Sequence, residues 1–211
     1  MPRIALIHAL SHSVAPINAA FAEHWPEAQL MNLLDDSLSA DLARSSGLDE
    51  RMTGRFRTLA DYAVGTGADG ILFTCSAFGP CIDAVAADHA AIPVHKPNEA
   101  MIEDAVKRGG RIGLLATFAP TLQSMPAEFP AGTELDCEYV AGALDALNAG
   151  DTARHDALAV AAAERLKARG CEVIALAQFS LARAADAIRA AVQLPVLTTP
   201  DSAISKLKSL L

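Results

Sequence analysis

Aromatic residues and long apolar runs are scarce in this chain. Of its 211 residues, 5% are aromatic and one is tryptophan, whereas alanine is abundant. Because aromatic and β-branched side chains are enriched in strands, this composition favours helices packed closely on a sheet over an all-β sandwich. No apolar stretch reaches the roughly 20 residues that a membrane span requires, and the one within residues 1–8 is too short for a signal peptide. We therefore expect a cytoplasmic protein without a membrane partner.

Basic residues and paired metal-binding motifs are also few. The 17 lysines and arginines are outnumbered by 25 aspartates and glutamates, and the net charge is −8. An acidic surface repels phosphate backbones, so nucleic acid is not an expected partner. The net charge does not exclude a local basic pocket that binds a small acid. The four cysteines form no Cys-x-x-Cys pair, and disulfides are not expected in a cytoplasmic chain of this size. His8 and His12 straddle a predicted strand end, so no metal site is predicted.

An internal repeat is the most informative feature of the sequence. Residues 67–76 and 170–179 share a glycine, an apolar run and a polar end, and the offset of 103 positions pairs Cys75 with Gln178. Such self-similarity is typical of a duplicated structural unit. Two further pairs keep the same order along the chain: residues 3–7 with 111–115, and residues 92–94 with 194–196.

Each half of the chain predicts the same order of elements. Continuously apolar runs such as residues 71–73 indicate strands that are buried on both faces, as in parallel sheets covered by helices. The predicted strands and helices, in chain order, lie at 3–8, 28–34, 49–66, 69–75 and 79–89 in the first half and at 111–117, 134–140, 152–169, 172–178 and 180–191 in the second.

These elements predict two pseudo-symmetric, doubly wound α/β lobes with parallel sheets. We place residues 1–96 plus 197–211 in the first lobe and residues 97–196 in the second, with the last helix packing back on the first lobe. In such sheets ligands bind beyond the carboxyl ends of the strands. A ligand cleft is therefore expected between the lobes, where equivalent strand ends from both halves face each other.

The strongest candidate for a reactive residue is Cys75, at the end of a predicted strand. Backbone N–H groups at the turn from Thr74 through Ser76 and Ala77, with the dipole of the following helix, can hold an anion. The same field would lower the pKa of the Cys75 thiol below its usual value of about 8.5 and prepare it for proton transfer or nucleophilic attack. The alternative is a small buried hydrophobe, the usual fate of a free cysteine, which we expect for Cys81, Cys137 and Cys171.

Hydroxyl and imidazole groups occur at the first strand end of each half. Thr117 and Thr121 follow the first strand of the second half, and both are candidates for binding substrate or for capping a helix. His8, Ser11 and His12 lie at the matching turn of the first half. Either histidine could orient a substrate or act as an acid or base, because its pKa lies near neutrality. Capping or solvated histidines would show the same pattern.

Two lobes with Thr74-Cys75-Ser76 closing the third strand of the first one resemble the aspartate/glutamate/hydantoin racemase superfamily. The resemblance implies a cofactor-independent enzyme that acts on a small carboxylate or amino-acid derivative, commonly as a homodimer. In that family one cysteine thiolate removes the α-proton and a second thiol across the cleft donates a proton to the opposite face. This scheme requires two acid/base groups and hydrogen-bond donors that stabilise the enediolate.

The sequence departs from this pattern where the second cysteine would lie. The repeat places Gln178 there, next to Phe179 and Ser180. A glutamine cannot act as a proton donor in place of a thiol, but its amide can donate hydrogen bonds to a carboxylate or an enediolate oxygen. The chain also resembles arylmalonate decarboxylases, which use one cysteine, although theirs belongs to the second lobe.

Three functions remain open on these residues. The first is a racemase or isomerase in which Cys75 and a group such as His8 or His12 exchange a proton at the α-carbon. The second is a one-cysteine enzyme, either a decarboxylase of malonate-type acids or a cis/trans isomerase of an unsaturated diacid. The third is a non-catalytic protein that binds a small acid in its cleft.

Overall fold

Two four-stranded parallel sheets form the framework of this computed structural model, which describes residues 1–211. The first sheet has the order β2-β1-β3-β4, and its strands are β1 (Arg3–His8), β2 (Gln29–Leu34), β3 (Gly70–Phe73) and β4 (Val94–His95). The second has the order β6-β5-β7-β8, and its strands are β5 (Ile112–Ala116), β6 (Leu135–Tyr139), β7 (Val173–Leu176) and β8 (Val196–Thr198). The predicted fold class is confirmed.

Ten α-helices connect and cover the strands. No helix is long and apolar enough to cross a lipid bilayer. The first five are α1 (Val14–His24), α2 (Ser37–Arg44), α3 (Glu50–Gly65), α4 (Gly79–Asp88) and α5 (Glu99–Arg108). The others are α6 (Ala119–Ser124), α7 (Ala143–Asn148), α8 (Thr152–Ala168), α9 (Ala185–Val192) and α10 (Thr199–Lys208). Short 3-10 turns lie at Ser11–Ser13, Ser76–Phe78, Met125–Glu128 and Phe179–Ala184.

The internal repeat corresponds to matching strands and turns. The register of 103 positions superposes β3 on β7, and both strands are buried throughout. Cys75 and Gln178 each have an extended backbone and each precede a 3-10 turn. Gly67 and Gly170 follow α3 and α8 with φ of +84° and +88°, a conformation that favours glycine and ends the helix before the next strand.

Apolar side chains cover both faces of each sheet. In the first lobe, Phe56 of α3 packs on one face of the sheet, and Ile17 of α1 packs on the other with Ile204 of α10. The second lobe is covered by α8 and α9 on one face and by α5 on the other. Helix α10 also joins the lobes, because Ser202 Oγ donates to Asp104 Oδ2 of α5 over 2.7 Å.

These contacts underlie our proposed division of the chain. Helix α10 packs with Ile4 and Leu6 of β1, and therefore belongs with the first lobe. Strand β8 pairs with β7 as far as Thr198. We therefore propose that the second lobe ends after Thr198, two residues later than the sequence suggested, because a strand cannot be separated from the sheet that satisfies its hydrogen bonds.

Candidate functional site

A small cavity lies where the carboxyl ends of the central strands of both sheets meet. Its volume is about 30 Å³, which is room for one or two water molecules. A small carboxylate is larger than this, so the cavity must enlarge before one can bind. The cavity is lined from the first lobe by Leu10, Ser13, Ser39, Thr74, Cys75 and Ser76, and from the second lobe by Phe118, Leu144, Gln178 and Ser180.

Cys75 is the single ionisable side chain among these ten lining residues. Burial raises the pKa of its thiol to about 11, and hydrogen bonds from the Ala77 backbone N–H and from Ser39 lower it only in part. The predicted lowering of this pKa is therefore wrong. A 3-10 turn separates Cys75 from α4, which begins at Gly79, and the surrounding protein atoms reduce the solvation of a thiolate. This direction favours the protonated thiol over the thiolate at neutral pH.

His8 lies behind the cavity and is fully buried. Its Nδ1 is 2.8 Å from Thr74 Oγ1, and its Nε2 is 2.9 Å from Asn32 Oδ1. Burial lowers the pKa of His8, against the hydrogen bond to Asn32 that raises it. The imidazole is therefore neutral and contacts the cavity through Thr74.

Gln178 faces the cavity from the second lobe, at the position that the repeat assigns to it. The backbone N–H of Thr117 donates to Gln178 Oε1 over 2.6 Å, and the Thr117 hydroxyl lies 3.1 Å from the same oxygen. Because a backbone N–H can only donate, the carboxamide oxygen must point to Thr117. The Gln178 amide nitrogen is then left on the cavity side with two donor hydrogens.

A pair of hydroxyl groups joins the lobes beside Cys75. Ser76 Oγ and Thr121 Oγ1 are 3.1 Å apart and buried, so the end of β3 contacts the start of α6 directly. Ser180 also lines the cavity, and its hydroxyl is buried without a hydrogen-bond partner. Such a hydroxyl is costly to bury unless a ligand or a water satisfies it.

Seven predicted site residues are not part of the cavity lining. Four of them contact lining residues, namely His8, Ala77, Thr117 and Thr121. The other three lie away from the cavity. Ser11 and His12 line a separate, open groove of about 750 Å³ between α1, α9 and α10. His12 Nε2 lies 2.9 Å from Asn148 Oδ1 of α7. Phe179 is fully buried and packs with Leu6 and Ile204 in the first-lobe core. Ala77 and Thr117 act on the cavity through the bonds to Cys75 and Gln178 described above.

The predicted burial of the other cysteines is confirmed for two of them. Cys81 and Cys171 are buried, and Cys137 is exposed. Cys137 lies on β6, which is an edge strand of the second sheet. A strand position alone does not determine burial, because one face of an edge strand can remain open to solvent.

Sequence reasoning missed a cluster of charged residues between the lobes, in which Glu128 and Lys96 are half-buried and Asp83 is exposed. Glu128 follows α6 in the second lobe and lies against Gly79, where an added Cβ would be 3.1 Å from its Oε1. Burial raises the pKa of Glu128 to about 7; the charges of Asp83 and Glu99 raise it further, whereas Lys96 and the side chain of Asn98 lower it. No pattern in the sequence indicates this cluster, because its members come from four separate elements.

The raised pKa of Glu128 predicts that the free energy of unfolding falls as the pH rises. Its pKa of about 7 lies above the ordinary 4.5, so the folded protein binds more protons than the unfolded chain between these values, and stability decreases from about pH 4.5 to above pH 7. We expect Glu128→Gln to raise the free energy of unfolding by about 1–3 kcal/mol at pH 8 and by much less at pH 5. Urea unfolding at both pH values measures this.

The exposed Glu27 provides the matched control. Glu27→Gln removes one negative charge from the surface and should leave the free energy of unfolding within about 0.5 kcal/mol at both pH values. An equal gain for Glu128→Gln at pH 5 and pH 8 would show that protonation of Glu128 is not the cause.

Solved structures with the same arrangement of lobes include several racemases. Allantoin racemase from Klebsiella pneumoniae superposes with a TM-score of 0.76 and 18% identity, over 100% of this chain and 87% of the other. Glutamate racemase isoform RacE1 from Bacillus anthracis gives 0.76 and 12%, over 100% and 81%. A sulfate-associated variant of arylmalonate decarboxylase gives 0.68 and 18%, over 99% and 93%. At these identities the likeness is one of fold.

Comparison of the sequence with known proteins assigns the chain to a family. A search of curated proteins found no match to the chain. The family model described as Asp/Glu/hydantoin racemase matches residues 13–207, which include every residue of the cavity lining that follows Leu10. The chain therefore belongs to the Asp/Glu/hydantoin racemase family.

Proposed function

We propose that this protein is a cofactor-independent enzyme of racemase type that moves a proton at the α-carbon of a small carboxylate, with Cys75 as its acid/base. Among reactions of this type, the geometry favours delivery of the proton to one face. Such an enzyme is a decarboxylase of a malonate-type acid or an isomerase with a single acid. Family membership and the position of Cys75 at the mouth of a parallel sheet support the proposal.

One observation carries the preference for a single acid. Cys75 has no ionisable partner across the cavity, where the second lobe contributes Phe118, Leu144, Gln178 and Ser180. His8 is enclosed behind Thr74 with both ring nitrogens hydrogen-bonded, and His12 faces the outer groove. A two-base racemisation needs a second group that can lose and regain a proton, and no lining residue supplies one.

A protonated thiol suits the second half of such a reaction. In a decarboxylation, the bond from the α-carbon to one carboxylate breaks, carbon dioxide leaves, and the electron pair remains on the α-carbon as an enediolate. The Cys75 S–H bond then breaks and its proton forms the new C–H bond. The thiolate that remains takes a proton from water. Donors such as the Gln178 amide would stabilise the negative charge on the enediolate oxygens.

The raised pKa of Cys75 predicts slow alkylation at neutral pH. Because the thiolate is the nucleophile, the rate of reaction with iodoacetamide should rise about tenfold per pH unit up to a pKa of about 11. The measurement is the pseudo-first-order rate from pH 7 to 11, in a Cys137→Ser background that removes the exposed thiol. A rate that is already constant above pH 8 would contradict a high pKa.

The proposed reaction is tested by the stereochemistry of deuterium incorporation. Wild-type protein is incubated in D2O with substituted malonates, unsaturated diacids, amino acids and hydantoins, and the products are examined by NMR. We expect deuterium on a single face of the α-carbon, at a rate that depends on Cys75. A labelled product that is racemic from the first turnover would favour two-base chemistry and overturn the one-acid assignment.

A further inference from the structure

The open groove described above runs along the boundary between the lobes, outside the cavity that holds Cys75. Its first-lobe wall is formed by α1 and the start of α10, and its second-lobe wall by the 3-10 turn at Phe179–Ala184 together with α9. Its volume of about 750 Å³ lies within the range of small-molecule sites. The groove therefore has room for molecules that the cavity of about 30 Å³ excludes.

Three short segments separate the groove from the cavity. In each segment one residue lines the cavity and another, two or three positions away, lines the groove; these pairs are Ser13 and Ser11, Ser180 and Ala182, and Leu144 and Leu147. Residues at this spacing in a helix lie within about one turn of each other, so the partition is one chain segment thick. Its first segment belongs to the first lobe and the other two to the second lobe, so the boundary between the lobes crosses the partition.

One hydrogen bond joins the two lobes at this partition. His12 Nε2, in the first lobe, lies 2.9 Å from Asn148 Oδ1, at the end of α7 in the second lobe. No other hydrogen bond between side chains joins a groove residue to the opposite lobe. The two arginines of the groove bond to carboxylates of their own lobe. Asn148 is exposed and His12 is half-buried, so water can replace this bond and its rupture costs little.

The chain crosses between the lobes at a different place. It leaves the first lobe after β4 and returns after β8, and each of these is an edge strand of its sheet. Helices α5 and α10, which follow these strands, contact each other through Ser202 and Asp104 and through the ion pair of Lys206 with Glu103 at 2.6 Å. Helix α7 instead follows β6, at the opposite edge of the second sheet. A rotation of the lobes about the α5–α10 contact would therefore move the end of α7 farther than the crossings.

We propose that the groove is the entrance to the cavity, and that the bond between His12 and Asn148 is a latch that breaks when the lobes rotate about the α5–α10 contact. Opening the latch joins the groove to the cavity, and closing it keeps bulk water from a carbanion that water would protonate on either face. The inference rests on the proposed function in one respect, because it takes the cavity beside Cys75 as the place of reaction. Access to the thiol itself requires no substrate.

The experiment fixes the latch and measures access to Cys75. His12→Cys with Asn148→Cys, in a Cys137→Ser background, is bridged with dibromobimane, which becomes fluorescent when both of its arms have reacted with thiols. Mass spectrometry then follows the alkylation of Cys75 by iodoacetamide at pH 8. We expect the bridge to slow this alkylation at least about tenfold relative to the same variant without the bridge, since the reagent reaches the thiol only in the open form.

A bridge at the pivot provides the matched control. Ser202→Cys with Asp104→Cys joins α10 to α5, where the native side chains are 2.7 Å apart, and the same reagent connects them. This bridge should change the alkylation rate of Cys75 by no more than about twofold, because the pivot moves little when the latch opens. Equal slowing by the two bridges, or no slowing by the bridge at the latch, overturns the inference.

Single substitutions test the latch without a cross-link. Asn148→Ala should speed the alkylation of Cys75 about two- to tenfold, the change in population that corresponds to one ordinary hydrogen bond. Asn148→Asp keeps an acceptor for His12 and should retain the wild-type rate. Lys206→Ala removes the ion pair at the pivot and should also retain it. A wild-type rate in Asn148→Ala would show that the bond does not control access.

Turnover separates this inference from the proposed function. If the protein transfers no proton to any acid while the bridge at the latch still blocks alkylation, the proposed function fails and the entrance stands. If the protein is active and the bridge at the latch leaves kcat/KM unchanged, the entrance lies elsewhere and the proposed function stands.

Discussion

Replacing Cys75 with alanine is expected to lower kcat for α-carbon protonation by about 10²–10⁴-fold, the usual contribution of a positioned acid. The thiol is the single ionisable group of the cavity lining, so no neighbouring residue can supply the proton. Serine at the same position should fare little better, because a hydroxyl is a far weaker acid than a thiol. The substrate is the one identified by the deuterium-incorporation experiment. Steady-state kinetics on it, together with the stereochemistry of the product, measure the effect.

The other free cysteines provide the control for this prediction. Cys137 is exposed on β6 and Cys171 is buried in the second-lobe core, both outside the cavity lining. Cys137→Ser should retain wild-type kcat and KM. Cys75→Ala could also retain wild-type kcat and still place deuterium on a single face of the product's α-carbon. In that case another group would be the acid and the assignment of Cys75 would be wrong.

Truncating Phe56 is expected to destabilise the first lobe by about 3–5 kcal/mol, which is typical of a buried phenylalanine changed to alanine. Phe56 of α3 is 1% exposed. Its ring centroid lies 5.2 Å from that of Phe73 and 4.9 Å from that of Phe78. These two residues flank Cys75 in the sequence, so the cavity left by Phe56→Ala lies beneath the turn that holds the thiol. Urea unfolding measures the loss of free energy.

Tyr62, on the same helix, supplies the matched control. Its side chain is 59% exposed, so Tyr62→Ala should change the free energy of unfolding by about 0.5 kcal/mol or less. In Phe56→Ala the alkylation of Cys75 at pH 8 should also become faster, because a looser turn readmits water to the thiol. A loss below about 1 kcal/mol for Phe56→Ala would show that the three rings do not support the turn.

Much of the fold follows from local sequence patterns. Apolar runs identified the central strands, and the glycines before them identified the ends of α3 and α8. The repeat then aligned Cys75 with Gln178, because duplicated units keep their strand-to-turn junctions in register. One local prediction was inaccurate: residues 179–184 form a 3-10 turn before α9 begins at Ala185. The homodimer and the cytoplasmic location remain predictions.

Contacts between distant segments decided the chemistry of the site. His8 was visible in the sequence, but its pKa is lowered by burial between the sheet and its covering helices, and its partner Asn32 comes from a neighbouring strand. The pKa of Cys75 depends on how much water the closed cavity excludes, which the dipole argument from sequence did not include. The charged cluster around Glu128 likewise forms only when the lobes meet.

The sequence by itself determined which residues end the central strands and that the chain is two copies of one α/β unit, since apolar periodicity and glycine positions are local properties. Only the tertiary structure decided that burial raises the pKa of the Cys75 thiol, that no other lining residue of the cavity is ionisable, and that the carboxamide oxygen of Gln178 points to Thr117. Proton positions and pKa values depend on desolvation and on hydrogen-bond partners, and both come from residues far apart in the chain.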